Sequence, residues 1–442
     1  MKNPLIKLPI SNFILIVSFL MVVSSCIDSQ NSLQGQKDKA NLHETAKNHF
    51  EFGIKLKQKN PRKAIEEFRN AILLDQLHVK AHLEYISLMK NQGRLNQITD
   101  EYHEKTKKKP ENEIYHYLMG KILEKTKDQI AEYQKAIEIN PDYYQAHLSL
   151  GNCYQTKGDI KNAIHHFKEV VRINPNHEET HRSLSKIIYG EQAKINEAIY
   201  HLKEVIRINP KDASSYVNLG VAYSEQGRIE EAIKMYERAV SINPNLFEAH
   251  VNLGLVYSRY GELDKAIEVY QEVTRINPND AYSRYDLGTF YQQQGNTDQA
   301  IYHMQEAIRI NPNHEKSHLM LADITYGKRM EIDKALYHLK EATLINPDSI
   351  SAHYNLALIY ANKGLIDKAI NHLNETIRIN PEYGKGYYNL ARMYSLNNQK
   401  ALAISFLRQA IDLVGHEAIE LSKIDTAFDD TREDKDFQKL MK

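Results

Sequence analysis

The chain has 442 residues, with 57 basic and 57 acidic side chains, two cysteines, no tryptophan and 28 tyrosines. Balanced charge supplies no global field to draw it to nucleic acid, and two cysteines exclude a disulfide framework. This length would ordinarily divide into two or three globular domains, but the spacing of the prolines points to a repeat array instead.

Residues 1–25 differ from the rest. Lys2 and Lys7 supply positive charge, Ile10 to Val23 is a mostly apolar run, and Ser24 and Ser25 follow. The run is too short for a membrane span, and the pattern is that of a secretory signal peptide. The string Val23-Ser24-Ser25-Cys26 resembles the bacterial lipobox, in which a lipid is attached to the cysteine and cleavage occurs just before it. The resemblance implies Cys26 as the lipidation site of a bacterial lipoprotein. Ile27 stands where some lipoproteins carry a retaining aspartate, which favours the outer membrane or periplasmic face of the cell envelope over the cytoplasm. With Cys26 acylated, Cys153 is the remaining thiol. It sits where other repeats place Ala222, Val256 and Ile324, which predicts an inert core residue. Residues 26–44 are polar and read as a flexible tether.

Nine of the twelve prolines fall at Pro110, Pro141, Pro175, Pro210, Pro244, Pro278, Pro312, Pro347 and Pro381, with gaps of 31, 34, 35, 34, 34, 34, 35 and 34 residues. A period near 34 is the signature of a solenoid of helical hairpins. Eleven units follow: 45–78, 79–112, 113–143, 144–177, 178–212, 213–246, 247–280, 281–314, 315–349, 350–383 and 384–417. In 247–280, apolar residues recur at three-to-four spacing in two runs, Leu253, Val256 and Tyr257, then Ala266, Ile267, Tyr270 and Val273. That spacing predicts two amphipathic helices broken at Gly261. Gly93, Gly158, Gly227, Gly261, Gly295 and Gly364 share this turn position, with Asn398 in the last unit, which predicts a left-handed residue ending each first helix. Asp264, Asp298, Asp333 and Asp367 open second helices, where negative charge suits the helix dipole, and proline stops them. Gly220 and Gly254 in first helices, and Ala232, Ala266 and Ala300 at one position of second helices, mark close approach.

Residues 45–143 hold three degenerate units, the third shortened by three residues between its helices, and residues 144–417 hold the regular ones. Units 178–212 and 315–349 each carry one extra residue and share Tyr189-Gly190 and Tyr326-Gly327. Residues 418–442 form a charged tail whose Ile419, Ile424, Phe428, Phe437 and Leu440 are spaced to cap the exposed last helix, as solenoid ends require. The other course for this tail is to fold back into the groove.

Leu253, Gly254, Tyr257, Ala266, Tyr270 and Pro278 match, one by one, the consensus of the tetratricopeptide repeat family, and the resemblance covers about residues 45 to 415. The consensus aromatic early in the first helix appears as Tyr216 and Tyr387, and as His147, His181, His250, His318 and His353. The resemblance implies an all-α fold, a right-handed α-solenoid of about eleven helix-turn-helix repeats, with first helices lining an inner face that binds peptides or proteins. Asn218, Asn252, Asn355 and Asn389 share one first-helix position, with Ser149, Ser183, Asp286 and Met320 in other units. In the superhelix of O-GlcNAc transferase, which these repeats resemble, asparagines at this position form a ladder that holds an extended peptide. An amide both donates and accepts, so it suits sequence-tolerant backbone binding. The neighbouring position carries Tyr285, Tyr354 and Tyr388, a ledge for partner side chains. The other reading of these asparagines is contact with water or an adjacent helix.

Two strings have zinc-protease spacing, His177-Glu178-Glu179-Thr180-His181 and His314-Glu315-Lys316-Ser317-His318. The repeat accounts for the second histidine of each, and no third ligand follows at a recognised spacing. His166, His201, His303, His338 and His372 recur at one second-helix position. Stacked helices lie roughly 8–10 Å apart and zinc bonds are near 2 Å, so equivalent histidines of successive repeats cannot share a metal. The expectation is a chain with no metal, no cofactor and no catalysis. It is read as a scaffold or adaptor of the cell envelope whose partners are proteins or extended peptides, with the membrane reached by its lipid anchor only and no nucleic acid bound. The alternatives are the substrate-recognition arm of an enzyme complex, such as a glycosyltransferase or cell-wall hydrolase, and a cytosolic scaffold.

Overall fold

The computed structural model describes residues 40–190, 194–328 and 330–441; the signal segment, Cys26 and most of the tether lie outside the described residues. No strand occurs among the described residues. The chain divides into two units, Met1–Pro210 and Lys211–Lys442.

The first unit holds α1 (residues 40–56), α2 (Pro61–Leu74), α3 (Val79–Asn91), α4 (Leu95–Lys108), α5 (Glu113–Ile122), α6 (Thr126–Ile139), α7 (Tyr144–Thr156), α8 (Ile160–Ile173), α9 (Glu178–Tyr189) and α10 (Ile195–Ile208). The second holds α11 (Ala213–Glu225), α12 (Ile229–Ile242), α13 (Phe247–Arg259), α14 (Leu263–Ile276), α15 (Ala281–Gln294), α16 (Thr297–Ile310), α17 (Glu315–Gly327), α18 (Ile332–Ile345), α19 (Ile350–Asn362), α20 (Ile366–Ile379), α21 (Gly384–Leu396) and α22 (Lys400–Val414). The tail adds α23 (His416–Ile424), a 3-10 turn at Thr426–Phe428 and α24 (Lys435–Leu440). From α2 to α10, and from α11 to α23, each helix packs on the next, which is an all-α solenoid of helical hairpins.

Local chemistry sets the boundaries. Asp159 and Asn296 cap α8 and α16 by accepting from the backbone N–H groups of Asn162 and Gln299. α14 stops at Ile276 because Asn277, preceding Pro278, is driven out of the helical region to φ −127. The turn glycines all take positive φ, from 69 at Gly93 to 87 at Gly295, and Asn398 substitutes at φ 57. In 315–349, one of the two units with an extra residue, Met330 takes the left-handed conformation at φ 54.

Close approach at the first-helix glycines has a specific cause. A ring from the second helix lies on the glycine backbone: a Cβ at Gly220 would fall 2.6 Å from Tyr236, and one at Gly151 would fall 2.5 Å from Phe167. Tyr236, Phe167 and Tyr270 are among the most deeply buried side chains.

Two boundaries differ from the sequence reading. The first helix is already formed at residue 40, ahead of the expected start at 45, and Ala46 within it is fully buried. The tail does more than cover α22. α23 and α24 pack on that helix, while the 3-10 turn lies against α21. Phe428, fully buried, joins Ala391, Ile404, Leu407 and Phe437 in one apolar cluster.

Candidate peptide-binding face

The early first-helix histidines are staples. His82, His116, His147, His181, His250, His318 and His353 each donate Nε2–H to the backbone carbonyl six residues earlier, at 2.9–3.3 Å. In six of the seven cases that carbonyl belongs to the unit-ending proline. A carbonyl only accepts, so Nε2 carries a proton, and in the neutral ring Nδ1 is bare. In four units that Nδ1 meets the Nδ1 of a second-helix histidine: His147 with His166 (3.1 Å), His181 with His201 (2.9 Å), His318 with His338 (3.1 Å) and His353 with His372 (3.0 Å). The second-helix partner must therefore donate. In the third unit Glu132 takes the partner's place, 2.7 Å from His116 Nδ1; a carboxylate only accepts, so there the ring nitrogen is the donor. Burial holds His166, His201 and His338 down to about 4. The pairing runs within a unit, where the sequence reading compared histidines between units. Its signal was partly present: the two positions carry histidine together in four units, whereas His250 has Val269 at the other position of its unit and His303 has Arg284.

This disposes of the two zinc-protease-like strings. His177 and His314 are helix N-caps whose Nδ1 accepts from the backbone of Thr180 and Ser317. His181 and His318 have both ring nitrogens engaged. Among the described residues no three His, Cys, Asp or Glu side chains converge on one point. Cys153 is half-buried with its thiol pushed up by burial, and packs beside the core of the first unit.

The asparagines separate into two kinds. Asn218 is exposed, and Asn252 and Asn355 are half-buried. Among the described residues, none of these three side-chain amides makes a hydrogen bond. Asn355 also lines a small crevice of about 60 Å³ with Asp323, Tyr326 and Leu358. Asn389 is different. It is buried, donates to Tyr354 Oη and to the Lys385 carbonyl, both at 3.0 Å, and accepts from Arg392 at 3.1 Å. Between the two kinds stands Asp286, whose carboxylate accepts from Tyr270 Oη at 3.2 Å and is raised by burial.

The tyrosine ledge divides in the same way. Tyr285 packs against His314 (ring centroids 5.3 Å apart) and Tyr354 against Tyr383 (5.3 Å), both half-buried. Tyr388 is covered by the tail: it donates to Asp425 Oδ2 at 3.1 Å and faces Phe428. Arg392 Nε donates to the same Asp425 oxygen at 2.6 Å, and Ser395 pairs with Thr431. The structure thus places Asn389 and Tyr388 under intramolecular partners, and leaves Asn218, Asn252, Asn355, Tyr285 and Tyr354 on the open part of the array. The sequence pattern gave the capping role of the tail but not these polar contacts, because Asp425 and Thr431 belong to no repeat.

Comparison with known proteins agrees with the geometry. The family described as TPR repeat matches residues 188–227, 222–261, 259–295 and 331–364, and the family described as tetratricopeptide repeat matches 144–177, 281–314, 350–383 and 384–413. Together these matches span more than half of the chain. Among solved structures, MamA is 31% identical over 40% of this chain and 96% of its own, with a TM-score of 0.37. YrrB, described as a TPR protein with an unusual peptide-binding site, is 24% identical over 41% of this chain and 93% of its own, with a TM-score of 0.36. The C-terminal part of a TPR repeat-containing protein from Cytophaga hutchinsonii is 16% identical over 53% of this chain and 96% of its own, with a TM-score of 0.48. No curated protein matches.

Proposed function

The chain belongs to the tetratricopeptide repeat family, and from that premise we propose that it is a non-catalytic scaffold of the bacterial cell envelope, tethered by a lipid on Cys26, that holds extended segments of partner proteins on its first helices. One observation carries the reading: Asn218, Asn252 and Asn355 present amides that no group among the described residues engages, whereas Asn389 at the same position is internally bonded. A free amide on a rigid helix can accept from a peptide N–H and donate to a peptide carbonyl. Tyr285 and Tyr354 stand beside this row and offer apolar surface with little rotamer freedom to lose.

The test is a displayed library of random peptides, selected on the wild-type chain and on an Asn218→Ala, Asn252→Ala, Asn355→Ala variant. Each lost hydrogen bond is worth about 1 kcal/mol, so three should weaken selected peptides roughly a hundredfold. Equal affinity for both proteins would contradict the reading. The anchor is tested separately. Cys26→Ala should release the chain from membranes, and membrane retention with no acyl label on the wild type would rule the lipid out.

A further inference from the structure

We propose that a cleft between α2 and the turn joining α3 to α4, lined by Arg62, Arg69 and Arg94, is a phosphate-binding site. Its origin is a pair of isoleucines. Other repeats keep the first-helix approach position small, as at Gly120, Gly151, Gly220 and Gly254, and most place alanine at the second-helix counterpart, as at Ala163 and Ala266. The repeat 79–112 carries Ile86 and Ile98 at these positions, and both are buried. The side chains at a helix contact set the distance between the axes, and α3 and α4 approach each other less closely than the two helices of any later hairpin. Beside this spread hairpin the cleft encloses about 720 Å³. It continues past Glu66 and Arg69 into a second space of about 380 Å³ over the buried Tyr85.

Arg62 and Arg69 stand two turns apart on one face of α2, about 10 Å along its axis, and Arg94 lines the same cleft from the start of α4. Among the described residues none of the three makes an ion pair, and Glu66, the acid that shares this cleft, stands beyond ion-pair reach of each. Arg94 donates its Nε–H to Gln97 at 2.9 Å, and the Arg69 guanidinium lies 5.8 Å from the centre of the Tyr85 ring. The Tyr85 hydroxyl, raised by burial and by Glu101, feels the positive charge of both arginines. Three guanidinium groups against one carboxylate leave two positive charges in excess. A phosphate monoester matches them: it carries close to two negative charges near neutral pH and three acceptor oxygens, enough to engage a fork from each arginine. A carboxylate brings one charge and two oxygens, which a single arginine satisfies. The occupant is therefore a phosphate group, carried by a lipid headgroup or by a soluble ester. The site uses none of the first-helix asparagines and does not rest on the scaffold reading.

The probe is inorganic phosphate, titrated at low salt and neutral pH into the full chain with nitrogen-labelled arginine, and followed by NMR through the arginine Nε–H signals. Malonate, a dicarboxylate of similar charge, is its counterpart. The wild type should bind phosphate at least about tenfold more tightly than malonate, since one further hydrogen bond to a charged group is worth that much. Arg62→Gln, Arg69→Gln and Arg94→Gln should each weaken phosphate by about tenfold or more. All three positions are exposed, so the melting temperatures should hold. Arg238→Gln, at an exposed position of α12, should leave binding unchanged. Unshifted signals at the three arginines, or undiminished binding in their variants, would overturn the site. Equal binding of phosphate and malonate would show a carboxylate site, such as one for an acidic peptide, and overturn the phosphate assignment. The source is read with a full-chain Cys26→Ala variant and vesicles of phosphatidylcholine, with and without phosphatidic acid. Sedimentation with the phosphatidic acid vesicles alone assigns the phosphate to a lipid headgroup, and phosphate binding without sedimentation assigns it to a soluble ester; the site stands in both cases.

Discussion

At the scale of single residues, the glycines of this chain do two different jobs, and substitution separates them. Gly220 lies under the Tyr236 ring, so Gly220→Ala should destabilise by about 1–3 kcal/mol through overpacking, more than the ~1 kcal/mol that alanine gains in helix propensity. Urea denaturation would check this, and a midpoint at or above wild type would refute it. Met330 is the converse, a large exposed side chain at φ 54. Met330→Gly should raise the melting temperature, because the left-handed conformation costs an L-residue roughly 1–2 kcal/mol.

The histidine pairs add a pH dependence. His166, His201 and His338 are held near 4 in the fold against 6.5 when free, mainly by burial. A group whose value is depressed by folding stabilises the fold fully above its unfolded value. That contribution should fade as pH falls from about 6.5 toward about 4. The last repeat has Tyr387 against Phe406 in place of a pair. A His181→Tyr, His201→Phe variant copies it, and its melting temperature should fall less than that of the wild type between pH 7 and pH 4.5. Parallel curves would show that the pair does not titrate in this window.

At the scale of elements, the tail is a part of the last repeat. Phe428 is fully buried between α21, α22 and Phe437, so Phe428→Ala should cost about 3–5 kcal/mol locally. In a solenoid each repeat contacts only its neighbours. Hydrogen exchange should therefore quicken first in α21 and α22 and least in α11 and α12; uniform quickening would contradict the nearest-neighbour account. The helices and turns were legible because each rests on local chemistry: proline after asparagine, a left-handed glycine, a small residue facing a ring. The sequence reading recovered Asn398 as a glycine substitute for that reason. It missed the polar contacts of residues 425–431, because those join a non-repeating segment to a repeat and leave no periodic trace; the bond of Asn389 to Tyr354 is the adjacent-helix contact that was its other reading. The histidine pairs were only half visible. Their positions recur, but the contact crosses from first to second helix within a unit, and a comparison along the repeat axis does not see it.

At the scale of the whole molecule, the asparagine amides that no described group engages carry the functional account. Asn218, Asn252 and Asn355 offer neutral, two-way hydrogen bonding on the second unit. The most direct measurement of the central claim is an NMR spectrum of the asparagine side-chain amides, recorded by selective labelling with and without the tightest peptide from the library. The signals of Asn218, Asn252 and Asn355 should shift on binding while that of Asn389, already bonded to Tyr354, stays in place. Three unmoved signals with the peptide bound would contradict the account.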